Sequence, residues 1–171
     1  MGQILFRNII LLLILIPLQV FLLDHINMGA SVNPYIYVLF ILLLPFETPG
    51  WLLLILAFFL GVIIDLFSGT IGMHASATVL MAFFRPIVMR IISAQRDFES
   101  GMKISIFETG FRWFFMYTFI LVLIHHIGLF FIEVFRFSGF FRTLTMAFYS
   151  AIFTTFLIII FQYLFASRNQ K

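Results

Sequence analysis

Few side chains in this sequence are of types that do chemistry, and most of them stand alone inside apolar runs. Asp65 is the single acid between Thr48 and Pro86, His74 follows it by nine residues, and His125 and His126 are adjacent in a later apolar run. Neighbouring residues on a helix point about 100° apart, which is a poor geometry for two ligands of one metal ion. The spacing therefore predicts no metal site.

Sequence motifs of common enzyme classes are missing as well. The chain has no HExxH, no GxSxG and no glycine-rich phosphate loop. Its two lysines, Lys103 and Lys171, lie in polar segments, which disfavours a membrane serine–lysine dyad. Cysteine is absent, which excludes disulfides, thiolate metal sites and cysteine nucleophiles. We therefore expect no catalytic residue and no cofactor. An enzyme that acts on a lipid is the function that the sequence supports least.

The composition points to a protein that uses the bilayer as its solvent. Of 171 residues, 63% are hydrophobic and only 10% are charged, whereas soluble domains carry about 25% charged residues. A soluble core of this size has no room for so much apolar surface. The net charge of +3 reports topology and lipid contact and does not indicate a nucleic-acid partner.

The hydrophobic runs predict an all-α integral membrane protein with a single transmembrane domain, residues 1–171, of about six helices. Pro17 is expected to kink the first helix. The second begins with Asn33-Pro34, a cap followed by a first-turn proline. Its thirteen residues give a length of about 20 Å, short of a hydrocarbon core of about 30 Å. The helix is therefore expected either to stop partway, sheltered by its neighbours, or to continue with a kink through Pro45. The predicted helices span residues 4–23, 34–46, 49–67, 71–92, 106–131 and 140–165.

The third and fourth predicted helices form a hairpin that turns at Ser68-Gly69-Thr70. Gly69 and Gly72 allow the turn to close tightly. Asp65 lies in the last turn of the first arm, and Gly61 is one helical turn earlier on the same face. A glycine beside an acid is a place where another helix or chain can approach closely. Three interpretations of Asp65 stay open: a partner contact, a cap or water contact at its own turn, and a contact with His74 across the turn.

Positive charge sets the expected orientation. With six spans and a cytoplasmic amino terminus, eight of the ten basic residues face the cytoplasm, and only Arg136 and Arg142 face outward. Both termini are then cytoplasmic. Arg85 and Arg90 are expected to reach anionic lipid headgroups.

Two local signals stand at the start of the fifth predicted helix. Ser105 and Glu108 form a capping box. Glu108 and Arg112 are four residues apart, so we expect them to form a local ion pair on that helix.

The segment Leu43-Leu44-Pro45 and the run GVIIDLFSGTIGMHASATVLMAFFRP from Gly61 to Pro86 resemble the MreD family, rod-shape-determining membrane proteins of bacteria. The similarity is closest over residues 34–86 and extends to the PFETP turn at Pro45–Pro49. It implies a six-helix protein of the bacterial cytoplasmic membrane without catalysis, with a fold similar to the substrate-binding subunits of vitamin transporters.

The resemblance also implies a function. MreD-like proteins work with the bitopic protein MreC, in machinery that links the MreB filament to a glycosyltransferase and transpeptidase pair that builds peptidoglycan. The chain is then a scaffold for membrane partners. The candidate partner-contact or structural residues are Pro34, Gly61, Asp65, Gly69, Gly72, His74, Arg85 and Pro86.

The alternative function is a substrate-binding subunit of a small-molecule transporter. The first helix lacks the spaced alanines with which such subunits dock a coupling protein. In its favour, a polar belt at the outer side is able to line a pocket. The belt consists of Asp24, His25, Asp65, His74, His125, His126, Glu133 and Arg142.

Overall fold

The computed structural model describes residues 2–25, 32–93, 102–134 and 139–166, and within these ranges every regular element is helical. Four helices are long and apolar enough to cross a membrane, judged by length and composition. The predicted count of six spans is not confirmed. The α-helices are α1 (Gly2–Pro17), α2 (Leu39–Leu42), α3 (Gly50–Ser68), α4 (Met73–Ile92), α5 (Ile106–Thr109), α6 (Phe111–Val134) and α7 (Phe140–Phe165).

Large apolar side chains cover much of the outward surface as well as the interior, and several polar side chains are buried. Large apolar side chains face outward, as in Phe141 at 81% exposure and Leu13 at 68%, whereas Gln19 and Ser150 are fully buried. Water would penalise such a surface, while lipid tails accept it and expel polar groups from the same positions. The predicted membrane class is therefore confirmed by where the side chains lie.

The first helix changes its winding at Pro17, where the sequence predicts a kink. Beyond α1 the chain forms a π-helical turn at Leu18–Leu22 and a 3-10 turn at Leu23–His25. Proline has no N–H to donate, so the regular α ladder is interrupted around it. The wider turn brings Gln19 and Val20 into the interior.

The second predicted helix, 34–46, is wrong in its start and in its length. Its helical part is a 3-10 turn of three residues, Ile36–Val38, followed by the four residues of α2. Together they measure about 12 Å, far short of a membrane span. Residues 32–35 are not helical, so Asn33 does not cap a helix and Pro34 does not open one. All residues from Ile36 to Leu42 are buried.

The hairpin of α3 and α4 confirms the predicted elements to within two residues. Gly69 and Gly72 have positive φ angles of 67° and 73°, which side chains disfavour, so both glycines are needed for the turn. The helix α4 starts at Met73, two residues later than predicted, because Gly72 is still in the left-handed conformation. It continues through the exposed Pro86 to Ile92.

The fifth predicted helix is divided. Ser105 caps α5 as expected, with its Oγ accepting from the Glu108 N–H at 3.3 Å, but Gly110 has a φ of 84° and ends the helix. Glu108 and Arg112 therefore lie on separate helices, and the expected helical ion pair is wrong. The last predicted helix, 140–165, is confirmed as α7.

Some predictions concern residues outside the described ranges. These are the central part of each predicted polar loop, the carboxyl-terminal tail, and the orientation evidence from Arg96, Arg136, Arg168 and Lys171. The side chains of Arg7 and His25 lie outside the described part as well.

The helices pack in the order α3, α4, α6 and α7, each against the next. The short segment from Ile36 to Leu42 packs against α1, α3 and α7. Tyr37, within this segment, also contacts α4 and α6 through its hydroxyl group. The broken second element is thus enclosed by the longer helices and does not face lipid, the condition under which non-helical backbone is tolerated at membrane depth.

Gly61 lies where the backbones of α3 and α4 approach each other closely. A Cβ built on it would lie 2.3 Å from the Ala75 Cα and 2.6 Å from the Ala75 nitrogen. The helix that the bare glycine admits is therefore α4 of this chain, and Gly61 is buried.

We expect Gly61→Ala to destabilise the protein by about 1–3 kcal/mol or more, the usual cost of overpacking, because backbone must move to admit the methyl group. Gly50→Ala is the matched control, since nothing lies within 4 Å of the added Cβ. Thermal unfolding of both variants in detergent measures the difference. Equal midpoints would show that the helices do not meet at Gly61.

Candidate functional site: buried polar contacts and a cavity

The Asp65 carboxylate caps the amino terminus of α4. Its Oδ1 accepts from the His74 backbone N–H at 3.0 Å and from the Thr70 hydroxyl at 2.5 Å, and its Oδ2 accepts from the Ala75 N–H at 3.0 Å. The first N–H groups of a helix have no partner within the helix, and the helix dipole favours an anion there. An acid at the end of α3 thus stabilises the start of α4.

These contacts decide among the interpretations of Asp65. The residue is only 4% exposed, so it does not present a surface to another chain. It meets His74 across the turn, as one hypothesis has it, but through the backbone N–H of His74. Gly61 supplies the close helix approach that brings the carboxylate within reach of α4.

Arg85 binds backbone carbonyls, as Asp65 binds backbone N–H groups, but in the opposite half of the interior. Its guanidinium donates to the carbonyl oxygens of Leu44 and Pro45 and, through Nε, to the Tyr117 hydroxyl at 2.8 Å. Tyr117 in turn donates to the Leu42 carbonyl at 3.0 Å. The last carbonyls of α2 and the turn after it, which no helix satisfies, are thereby bound by a cation and a phenol.

The expected contact of Arg85 with lipid headgroups is wrong, because Arg85 is 2% exposed. A charged side chain costs least inside a membrane when it binds backbone carbonyls or another charge, and the turn at Leu44 and Pro45 supplies those carbonyls. Arg90, one turn further along α4, is exposed, which is compatible with the expected lipid contact.

Side chains of the surrounding helices also bind the non-helical backbone before α2. The N–H groups of Asn33 and Tyr35 donate to Ser150 Oγ at 3.0 Å and Thr154 Oγ1 at 3.1 Å, both on α7. Gln19 accepts from the Ile36 N–H at 2.8 Å and donates to the Pro34 carbonyl at 3.0 Å. Pro34 is therefore held in an extended segment by its neighbours and is structural.

The His126 ring links this segment to α6. Its Nδ1 lies 2.8 Å from the Val122 carbonyl, so this nitrogen carries the proton. The Nε2 atom lies 3.3 Å from both the Thr154 hydroxyl and the Asn33 carbonyl. With the proton assigned to Nδ1, the Nε2 atom accepts from Thr154, and the Asn33 carbonyl, which cannot donate, is a neighbour only. Thr154 in turn accepts from the Tyr35 N–H.

Tyr37 connects the two other buried histidines. Its hydroxyl lies 2.7 Å from His125 Nε2 and 3.1 Å from His74 Nδ1. The Nδ1 atom of His125 is buried without a partner among the described residues. Because orphaned N–H groups are rarer than orphaned acceptors, the proton of His125 belongs on Nε2. Tyr37 then donates to His74 Nδ1, and the proton of His74 lies on Nε2.

A cavity of about 330 Å³ lies at the end of the bundle that carries the hairpin turn, hereafter the turn end. His74 lines it while being only 4% exposed, and no described residue binds its Nε2. Glu133 also has no hydrogen-bond or ion-pair partner among the described residues. Polar cavity residues are Asp24, Asn33, Tyr35, Ser68, Thr70, His74 and Glu133.

Sequence reasoning places Asp24, His74 and Glu133 in one polar belt, and the cavity brings these three together. Sequence reasoning misses the buried polar residues Gln19, Tyr35, Tyr37, Tyr117, Ser150 and Thr154. Two signals were available: Gln19 is a lone polar residue in an apolar run, and Ser150 and Thr154 are four residues apart on one helix face. Nothing local indicates that Ser150 and Thr154 bind a backbone segment more than a hundred residues away.

Comparisons with family models, with curated proteins and with solved structures give no match to this chain. Its fold and contacts define an all-helical membrane protein whose buried charges bind backbone groups.

We expect Asp65→Asn to lower stability by about 1–2 kcal/mol, since the neutral amide keeps one acceptor oxygen but loses the charge at the helix terminus. The control is Glu108→Gln, the same exchange at an exposed acid in the first turn of α5. Unfolding midpoints in detergent measure both. A loss as small as that of the control would contradict the capping role.

For Arg85→Gln we expect a loss of about 2 kcal/mol, because the buried Leu44 carbonyl is left without its donor. The Pro45 carbonyl keeps the N–H and the hydroxyl of Thr48. Arg85→Lys should recover only part of it, since one ammonium cannot reproduce the planar guanidinium contacts. Arg90→Gln provides the control at an exposed arginine of the same helix. Near-identical unfolding of the Arg85 and Arg90 variants would show that the carbonyl contacts do not stabilise the fold.

Proposed function

We propose that this chain is a non-catalytic scaffold of the bacterial cell-elongation machinery and that it binds an MreC-like bitopic membrane protein. The proposal includes an indirect link, through that partner, to the MreB filament and to the glycosyltransferase and transpeptidase pair. It rests on the resemblance of residues 34–86 to the MreD family and on the use that the chain makes of those residues.

One observation carries the proposal. Both charged residues of the Gly61–Pro86 run bind backbone groups of this chain: Asp65 the first turn of α4, and Arg85 the turn after α2. Neither is aimed at the other or at a water-filled site. The polar chemistry of the run therefore maintains a shape, and shape with apolar packing is how membrane helices recognise each other.

The proposed location is the bacterial cytoplasmic membrane, with several spans and both termini in the cytoplasm. Arg90 lies near the end of α4, and Lys103 and Arg112 lie around the start of α6. These two helix ends are adjacent, because Trp113 Nε1 donates to Ser93 Oγ at 3.1 Å. The positive-inside rule then assigns this end to the cytoplasm, next to anionic headgroups, and the turn end to the outer side.

The hairpin turn offers an apolar contact surface for a partner, hereafter the tip patch, formed by Leu66, Phe67 and Ile71. Ile71 is 99% exposed although it lies between two glycines that fix the turn. An exposed isoleucine in a turn contributes little to the interior of this chain, and a helix of a partner gains by covering it.

The test is a pull-down from native membranes, with partners identified by mass spectrometry and cell shape recorded after depletion of the chain. We expect recovery of an MreC-like bitopic protein and rounding of rod-shaped cells. Ile71→Asn should reduce partner recovery severalfold. Ile91→Asn, the same exchange at an exposed residue near the other end of α4, should not. A chain recovered alone, with cell shape unaffected by its depletion, would contradict the scaffold.

The cavity favours a second candidate, a substrate-binding subunit of a small-molecule transporter. Its volume of about 330 Å³ is at the lower end of the range for small-molecule sites. The same pull-down separates the two candidates, because a transporter subunit should be recovered with a coupling protein in place of a bitopic one.

A further inference from the structure

We infer that the cavity at the turn end is a binding site for a small organic ammonium ion. The inference rests on the geometry of the cavity and stands whether or not the chain is a scaffold; it adds a ligand class to the second candidate function. It does not depend on the Arg85 contacts. It does share residues with the hairpin, because Phe67, Ser68 and His74 line the cavity and Phe67 also belongs to the tip patch.

Charge is the first argument. Asp24 and Glu133 are the charged residues among those that line the cavity, and both are acids. The carboxylate of Glu133 has no partner among the described residues. Asp24 accepts from Gln19 at 2.7 Å and from Ser68 at 3.2 Å, one contact on each oxygen, so each oxygen keeps acceptor capacity. A cavity with two acids and no lining cation attracts a positive ligand.

The second argument comes from His74, which is 4% exposed. Tyr37 occupies its Nδ1, so the protonated Nε2 is left without a partner in a residue that lines the cavity. The Nε2 atom is open to the cavity, so a ligand with an acceptor atom, or a water that such a ligand orders, can accept a hydrogen bond from it.

The aromatic wall supplies the third argument. Tyr35 lines the cavity, and its ring stands edge-on to His74, with centroids 5.2 Å apart. The ring packs against those of His125 and His126, with centroids 5.9 and 5.3 Å from its own, and these neighbours hold it in place. A rigid phenol beside two carboxylates is the arrangement that recognises ammonium groups, through attraction of the cation to the ring and to the acids.

The ammonium has two possible sources, a free molecule or the headgroup of an ethanolamine lipid at the outer surface. Both present the same charge and the same N–H donors. The described cavity residues do not discriminate between them, so the experiment has one arm for each source.

The test uses the full chain in nanodiscs of phosphatidylglycerol, which lacks an ammonium group, and follows thermal unfolding. Benzylamine, tryptamine and choline are the cationic probes. Benzyl alcohol and benzoate are the neutral and anionic counterparts of benzylamine. We expect a saturable rise of the unfolding midpoint with at least one cation, a much smaller rise with benzyl alcohol, and none with benzoate.

Glu133→Gln should raise the apparent Kd of that cation about two- to fivefold, the effect of losing one exposed ion pair. Asp24→Asn should act in the same direction. Glu133 is exposed and has no partner among the described residues, so its variant keeps the fold even if the Asp24 variant does not. Glu108→Gln, the same exchange in the short helix that precedes the start of α6, serves as the control and should leave the Kd unchanged.

Phosphatidylethanolamine is then added to the nanodiscs. A weaker probe response identifies the lipid headgroup as a competitor, and an unchanged response identifies a free molecule as the occupant; both support an ammonium site. The inference is overturned if none of the three cations gives a saturable shift, if benzylamine and benzyl alcohol act alike, or if Glu108→Gln weakens binding as much as Glu133→Gln.

Discussion

The structure depends on one constraint: inside a bilayer, each backbone N–H and C=O outside a helix must find a partner within the protein. The chain around α2 breaks the helical pattern in the middle of the molecule and so exposes several such groups. Gln19, Ser150 and Thr154 bind those on one side of the break, and Tyr117 and Arg85 bind those on the other. These five polar side chains lie where the non-helical backbone needs partners.

The two buried charges follow the same logic at helix ends. Asp65 lies at the positive amino terminus of α4, and Arg85 at the negative carboxyl terminus of α2. Each charge meets partial charges and hydrogen-bond partners of the backbone, so no counter-ion is required. Helix ends that point at ions near the membrane interior are a recurrent device of membrane proteins, and here the ions are side chains of the chain itself. The result is an interior whose charges are matched by backbone groups, beneath an outward surface that carries many large apolar side chains.

These features separate two regions of the molecule. The buried contacts of Asp65 and Arg85 maintain the fold, which suits a protein that offers its shape to other membrane proteins. The cavity at the turn end is different, because His74 and Glu133 retain hydrogen-bonding capacity there that no described residue uses. The two regions meet at the hairpin turn, where Phe67 belongs to the tip patch and also lines the cavity.

The sequence by itself determined the membrane class, the hairpin of α3 and α4, the turn glycines and the extent of α7. Those features follow from local hydrophobicity and from backbone conformations that only glycine adopts readily. Only the tertiary structure decided the conformation of residues 34–46, where proline and cap signals predict a continuous helix. Acceptors on Gln19, Ser150 and Thr154 stabilise an extended chain instead. It also decided that Arg85 lies inside, because carbonyls distant in sequence converge on it. Contacts between residues far apart in the chain leave no local pattern, and they were settled only when the helices packed.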